Sequence, residues 1–105
     1  MELKIMAQDF DRVVLENEKP VMVDFFATWC GPCKMMGPVV EKLAEQLDGK
    51  AVVVKLDVDE AEDIAERYKI MSVPSFLFFN RGEVVDTVVG GTSIKDLSDR
   101  IKPYI

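Results

Sequence analysis

The sequence predicts an α/β protein in which one mixed central β-sheet carries helices on both faces, in the order β-α-β-α-β-α-β-β-α. Three observations predict it. Runs rich in β-branched residues alternate with segments whose apolar residues recur at helical spacing, which is typical of parallel strands joined by right-handed crossovers. The run at 21–27 is apolar on both alternating faces apart from Asp24, as expected for a central strand. Near the end of the chain, two strand-like runs flank Asn80-Arg81-Gly82, which indicates an antiparallel hairpin.

The first half of the chain supplies two strands and two helices. A weak strand near 3–6 precedes a short helix that Asp9 is expected to cap. Pro20 ends this helix, the buried strand at 21–27 follows, and a long helix then runs from about 33 to 47. The apolar stripe of the long helix consists of Met36, Val40, Leu43 and Leu47.

The second half adds three strands and two helices. A β-branched strand at 51–56 leads to a helix that Asp59 is expected to cap, and the hairpin strands lie at 75–79 and 83–89. Ser93, with an acidic residue three positions later, is expected to cap the last helix. The predicted core positions of these two helices are Ala61, Ile64, Ala65, Tyr68, Ile94, Leu97 and Ile101.

Composition limits the possible chemistry. The 105 residues suit a single domain, 1–105, and the net charge of −6 argues against a nucleic-acid binder. No apolar run approaches the roughly 20 residues of a membrane span. The chain has two cysteines and no histidine, which excludes Ser–His and Cys–His catalysis and leaves too few ligands for a closed zinc site. The amino terminus shows no secretory signal, so we expect a cytoplasmic location, where two close cysteines are more often catalytic than structural.

Both cysteines lie in one short motif, Trp29-Cys30-Gly31-Pro32-Cys33, between the buried strand and the long helix. A helix amino terminus favours an anion, so Cys30 is expected to form a thiolate readily and to attack a disulfide. Cys33 lies about one turn inward, where we expect it to be better shielded and to resolve the mixed disulfide. A structural disulfide would remove little chain entropy across so short a loop. A metal half-site or a pair of bystander cysteines would also be compatible with two thiols, but both fit this context poorly.

Asp24 is the most informative carboxylate. Its neighbours on the same face of the strand, Met22 and Phe26, are apolar. Burying an ionised carboxylate costs several kcal/mol, so Asp24 should hold a proton more readily than a surface aspartate. A buried acid near Cys33 can accept and return the thiol proton during exchange. The competing interpretation is an aspartate at a frayed strand end.

The segment 23–34, Val-Asp-Phe-Phe-Ala-Thr-Trp-Cys-Gly-Pro-Cys-Lys, resembles the active-site segment of the thioredoxin family. The resemblance extends from about residue 3 to the carboxyl terminus. It includes Pro38, Lys55-Leu56-Asp57, Val73-Pro74-Ser75, Asn80-Arg81-Gly82-Glu83 and Val89-Gly90-Gly91. It implies the thioredoxin fold and a protein-disulfide reductase, an electron carrier that serves many disulfide-containing proteins and is recharged by a thioredoxin reductase. Nothing in the sequence requires more than a monomer, so we expect a monomer. No cofactor is implied beyond the redox-active Cys30–Cys33 pair.

The resemblance also implies roles for individual residues. Asp24 would be the buried proton acceptor, and Lys55 would pair with it and tune it. The Val73–Pro74 bond would be cis, although the pattern alone predicts trans, and the backbone of Val73 would pair with an extended substrate. The residues implied to bind substrate are Trp29, Gly31, Pro32, Val73, Pro74, Val89 and Gly90.

Two further functions stay open at this point. A disulfide isomerase or oxidase would use the same chemistry, but Gly31-Pro32 between the cysteines argues against it, because oxidants of this fold usually carry other dipeptides there. A binding subunit of the same fold, with idle thiols, is the second.

Overall fold

A five-stranded mixed sheet runs through the computed structural model, which describes residues 2–105. Its strands are β1 (Glu2–Lys4), β2 (Val21–Phe26), β3 (Val52–Asp57), β4 (Ser75–Asn80) and β5 (Glu83–Val89). The spatial order is β1-β3-β2-β4-β5; β3 pairs in parallel with both β1 and β2, whereas β4 pairs antiparallel with β2 and β5. The mixed sheet confirms the predicted fold class.

The described residues also form three α-helices and three irregular turns, which lie between and after the strands. The α-helices are α1 (Gly31–Gln46), α2 (Glu62–Arg67) and α3 (Ile94–Ile101). The irregular turns are the 3₁₀ turns Ala7–Asp9 and Lys102–Tyr104 and the wide π turn Asp11–Leu15. None of the helices in the described part of the chain is long and apolar enough to cross a membrane.

The sheet divides the core into two layers because successive strand residues point to opposite faces. The layer beneath the turns at 7–15 and α2 contains Phe10, Val14, Val21, Val23, Phe25, Val54, Leu56, Ile64, Leu77 and Phe79. The layer beneath α1 and α3 contains Met22, Met36, Val40, Leu43, Leu47, Val53, Phe76, Phe78, Leu97 and Ile101. Helices therefore cover both faces, as predicted, and the stripe expected for the long helix is buried.

The first helical segment differs from the prediction. Asp9 ends a 3₁₀ turn instead of capping a longer helix, because its carboxylate accepts hydrogen bonds from the Met6 N–H and from Arg12, each at 3.1 Å. The chain then makes a wide turn in which the Glu16 N–H donates to the Asp11 carbonyl at 2.9 Å. The carboxylate of Asp9 accepts the N–H of the earlier residue Met6, so it does not cap a helix by accepting an N–H from a later residue.

The predicted N-cap residue of α2, Asp59, is also wrong, whereas the predicted N-cap residue of α3, Ser93, is confirmed. Residue 61 occupies the cap position of α2, and no side chain donates or accepts a capping bond there. The Asp59 carboxylate instead accepts the indole N–H of Trp29 at 2.8 Å, so it is committed to a long-range contact. At α3 the Asp96 N–H donates to the Ser93 Oγ at 3.0 Å.

The turn between β4 and β5 requires a glycine at position 82. Arg81 (φ 52°) and Gly82 (φ 83°) are both left-handed, the conformation that a two-residue hairpin turn requires. A Cβ atom on Gly82 would lie 3.0 Å from the carbonyl oxygen of Leu15, which is backbone and cannot move aside cheaply. The glycine is therefore required by conformation and by space.

Gly82→Ala is expected to lower the free energy of unfolding by about 1–3 kcal/mol, since it combines a left-handed alanine with the close contact to Leu15. Urea denaturation measures this. Gly49→Ala is the matched control, because Gly49 has φ 81° and no atom within 4 Å of the added Cβ. The control should lose only the conformational part, about 1 kcal/mol. Equal losses in the two variants would contradict the steric contribution.

Candidate active site

The two cysteines lie at the amino end of α1. Cys30 is the N-cap residue with extended backbone (φ −87°, ψ 113°), and its Sγ accepts the Cys33 N–H at 3.1 Å. The helix begins at Gly31, two residues earlier than predicted, because Pro32 fits the first turn, where no backbone N–H is needed. The sulfur of Cys30 thus occupies the position where unpaired N–H groups and the helix dipole stabilise negative charge.

Cys30 and Cys33 form a disulfide with their Cα atoms 5.3 Å apart. Both are buried in this oxidised form, with exposed fractions of 4% and 8%. The expectation that Cys33 is the better shielded of the two is therefore wrong here. The reason is a groove of about 430 Å³ beside α1 that Cys33 borders together with Phe26, Gly37 and Lys55.

The backbone segment just before β4 lies against Cys30. The Val73–Pro74 peptide bond is cis, in agreement with the resemblance. The Val73 carbonyl oxygen lies 3.7 Å from the Sγ of Cys30, and only the reduced thiol has a proton to donate to it. The Gly90 N–H donates to the Pro74 carbonyl at 2.8 Å, which joins the end of β5 to this segment. The structure thus brings Val73, Pro74 and Gly90 together beside the disulfide.

The remaining residues predicted to bind substrate are mostly exposed. Gly31 and Pro32 lie at the exposed start of α1. Val89 is exposed and pairs in register with Ser75, the residue after Pro74. Trp29 is 70% exposed, and its indole is held in place by the hydrogen bond to Asp59.

Two residues near Trp29 were not predicted to belong to the site. Asp59 orients the indole, and Met71, 92% exposed, lines a hollow of about 120 Å³ with Trp29 and Val73. No local signal identifies Asp59, since its partner is thirty residues away. An apolar residue in a loop just before Val73-Pro74 is the signal that would have identified Met71.

Asp24 is buried on β2, with 3% of its surface exposed, and its Oδ1 has no hydrogen-bond partner within residues 2–105. Burial raises the pKa of Asp24 from 3.8 to about 7; the positive charge of Lys55 opposes this rise and the negative charge of Glu2 adds to it. The effect of burial on the pKa of Asp24 is thus larger than the opposite effect of Lys55. A carboxyl group with this pKa exchanges its proton readily near neutral pH.

Lys55 does not form the direct ion pair with Asp24 that the resemblance implies. The two residues are register partners on β3 and β2. The ammonium group lies 4.7 Å from the centre of the Phe26 ring, and no ion pair within 4 Å joins Lys55 and Asp24 in the described part of the chain. Lys55 borders the same groove as Cys33 and is attracted by the ring face. Its positive charge lowers the pKa of Asp24 without direct contact between the two groups.

The disulfide lies at the amino end of α1, the helix that joins β2 to β3 of the mixed sheet. This arrangement defines a dithiol redox protein of the thiol–disulfide oxidoreductase class. The family model described as thioredoxin matches residues 2–103. The chain belongs to the thioredoxin family.

Individual relatives agree with this assignment. The chain is 45% identical to a thioredoxin of Staphylococcus epidermidis over 103 residues, 98% of this chain and 97% of the relative. It is 44% identical to a thioredoxin of Chlorobaculum thiosulfatiphilum over 98 residues, 93% and 91% of the two chains. It is 49% identical to an M-type chloroplastic thioredoxin of Spinacia oleracea over 92 residues, 88% of this chain but only 51% of the relative. The chain thus spans about half the length of the spinach relative.

Proposed function

We propose that the protein reduces disulfide bonds of other proteins and is recharged by a thioredoxin reductase. The observation that carries this proposal is the Cys30–Cys33 disulfide at the amino end of α1, next to the backbone of Val73. The family assignment and the relatives named thioredoxin support it.

In the first step, the thiolate of Cys30 attacks one sulfur of the substrate disulfide. A bond forms between the two sulfurs, the substrate S–S bond breaks, and the second substrate sulfur leaves as a thiolate. The Cys33 N–H, which donates to the Sγ of Cys30 at 3.1 Å, and the dipole of α1 stabilise the attacking anion.

In the second step, Cys33 attacks the Sγ of Cys30, the bond between Cys30 and the first substrate sulfur breaks, and that sulfur leaves as a thiolate. Its thiol proton passes to the carboxylate of Asp24, whose pKa of about 7 allows it to accept the proton and later return it. Asp24 lies on the strand that leads into Ala27, and Ala27 packs against both cysteines. The product is the disulfide seen in the structure, and a thioredoxin reductase returns two electrons to it.

The substrate is proposed to bind as an extended chain along Val73. Among residues 2–105, the Val73 N–H donates no backbone hydrogen bond, and the Val73 carbonyl accepts none from another backbone group. An extended peptide can use both groups, as an added strand does. The exposed Trp29, Met71 and Val89 provide an apolar surface around this backbone, which suits many different partners.

Three further expectations belong to this proposal. One domain over residues 1–105 is supported by the family match at 2–103. The monomeric state stays a prediction. The cytoplasmic location stays a prediction, since two relatives are named chloroplastic.

Reduction of insulin tests the proposed function. The protein with NADPH and a thioredoxin reductase should oxidise NADPH and precipitate the insulin chains, both in proportion to its concentration. Dithiothreitol in place of the reductase is the control for an unsuitable reductase. No acceleration with either reductant would contradict the proposal, and a strongly oxidising potential of the pair would favour an oxidase or isomerase instead.

A further inference from the structure

A second carboxylate has one buried oxygen atom on the sheet face that carries Asp24. Glu2, on β1, is partly exposed, but its Oε2 atom has no exposure to solvent and no hydrogen-bond partner among the described residues. The Oδ1 atom of Asp24 is in the same condition. Buried carboxylate oxygens are ordinarily satisfied by donors, so two unsatisfied ones on one face require an explanation.

The strand register places these two carboxylates on the same face. Glu2 is the register partner of Val53, which in turn pairs with Met22, and both of these lie in the layer beneath α1. Partners in a parallel pair point the same way, so the Glu2 side chain also faces α1. Asp24, two residues beyond Met22 on β2, has the same orientation.

One cation lies between them along the sheet. Lys55, on the intervening strand β3, is the register partner of Asp24, and its ammonium group lies over Phe26. If Glu2 and Asp24 were both ionised, one positive charge would face two negative charges in a poorly hydrated region. A proton on one carboxylate removes this imbalance. The negative charge of Glu2 indeed raises the pKa of Asp24.

The other charged groups near this face have different partners or surroundings. Lys4, next on β1, forms an ion pair with Glu60 at 3.2 Å. Asp57, next on β3, accepts the N–H of residue 59 at 2.9 Å. Lys34 on α1 lines the open groove, and β4 presents the apolar Phe76 opposite Asp24. Glu2 is therefore the carboxylate that acts on Asp24.

We propose that Glu2 is a positioning residue that acts through Asp24: its partly buried carboxylate strengthens Asp24 as the proton acceptor for Cys33 and so sets the pH range of the exchange. The inference rests on the proposed function, because it assigns Asp24 its role there. Cys33 gives up its thiol proton as its sulfur bonds to Cys30, Asp24 takes that proton, and Glu2 gains and loses nothing.

Glu2→Gln tests the inference in the oxidised protein, where the cysteines do not titrate. The midpoint of the Asp24 titration, followed by the NMR shift of its carboxyl carbon, should fall by roughly 0.5–1 pH unit, since a nearby negative charge is removed. Glu83→Gln, the same change at an exposed strand position, should leave the midpoint in place. Glu2→Asp, which keeps the charge, should restore most of the wild-type value. A Glu2→Gln midpoint equal to that of the wild type would overturn the inference.

The pH profile of insulin reduction separates this inference from the proposed function. The rate of the Cys33 step rises with pH as Asp24 loses its proton. In Glu2→Gln this rise should begin at a pH that is lower by the same amount as the shift in the Asp24 midpoint. If the Asp24 titration shifts but the pH profile of insulin reduction does not, the proposed role of Glu2 is overturned, and the proposed function as a disulfide reductase is not affected. A wild-type protein that reduces no disulfide would overturn the proposed function, whatever the titration shows.

Discussion

Cys30→Ser is expected to reduce the rate of insulin reduction to the background rate without protein. A serine hydroxyl stays protonated at the amino end of α1 and does not attack disulfides, so no mixed disulfide forms. Cys33 cannot replace it, because Cys33 lies inside the first turn of α1, whereas Cys30 is the N-cap residue whose sulfur accepts a helix N–H. The measurement is turnover with NADPH and a thioredoxin reductase, with circular dichroism to verify folding. Turnover above background would contradict the assignment of Cys30 as the attacking residue.

Cys33→Ser is the matched control, because it removes the same disulfide but keeps the attacking thiol. This variant should accumulate a covalent adduct with a disulfide-containing substrate, visible by mass spectrometry and released by dithiothreitol. The disulfide spans a sequence separation of only three residues, so its loss should cost both variants about 2 kcal/mol at most. An adduct with Cys30→Ser but none with Cys33→Ser would reverse the two roles.

The parts of the fold that short-range patterns determine were predictable from the sequence. The β5 strand has the predicted bounds, 83–89, because left-handed residues at the turn fix the register of the hairpin. Ser93 caps α3 as expected, since the cap and the N–H that it binds are three residues apart. The cysteine motif was equally local, because two sulfurs at this spacing meet at a helix start.

The parts that depend on distant contacts were not predictable. Asp59 has the residue type and position of a helix cap, yet the indole of Trp29, which is distant in sequence, binds its carboxylate. Lys55 turns to the Phe26 ring, a choice that depends on side-chain packing between strands. Glu2 lies just before the weak strand predicted near 3–6, and a charged residue there ordinarily faces solvent. Only the pairing of β1 with β3 places it beneath α1.

The same buried site produces the second large expected effect, which concerns stability. Burial raises the pKa of Asp24 from 3.8 in the unfolded chain to about 7 in the folded protein. Between these pH values the folded protein retains a proton that the unfolded chain has lost, so the free energy of unfolding falls as the pH rises. Below about pH 4 there is no penalty, and above about pH 7 the penalty is complete.

Asp24→Asn should therefore flatten the dependence of stability on pH. Between pH 5 and pH 8 the wild-type protein should lose about 2–3 kcal/mol more of its free energy of unfolding than the variant does. Urea denaturation of the oxidised forms at each pH measures this difference. Asp63→Asn, at an exposed position of α2, is the matched control and should follow the wild-type profile. Parallel profiles for the wild type and Asp24→Asn would mean that Asp24 ionises in the folded protein as easily as in water, and its burial would then not support a proton-accepting role.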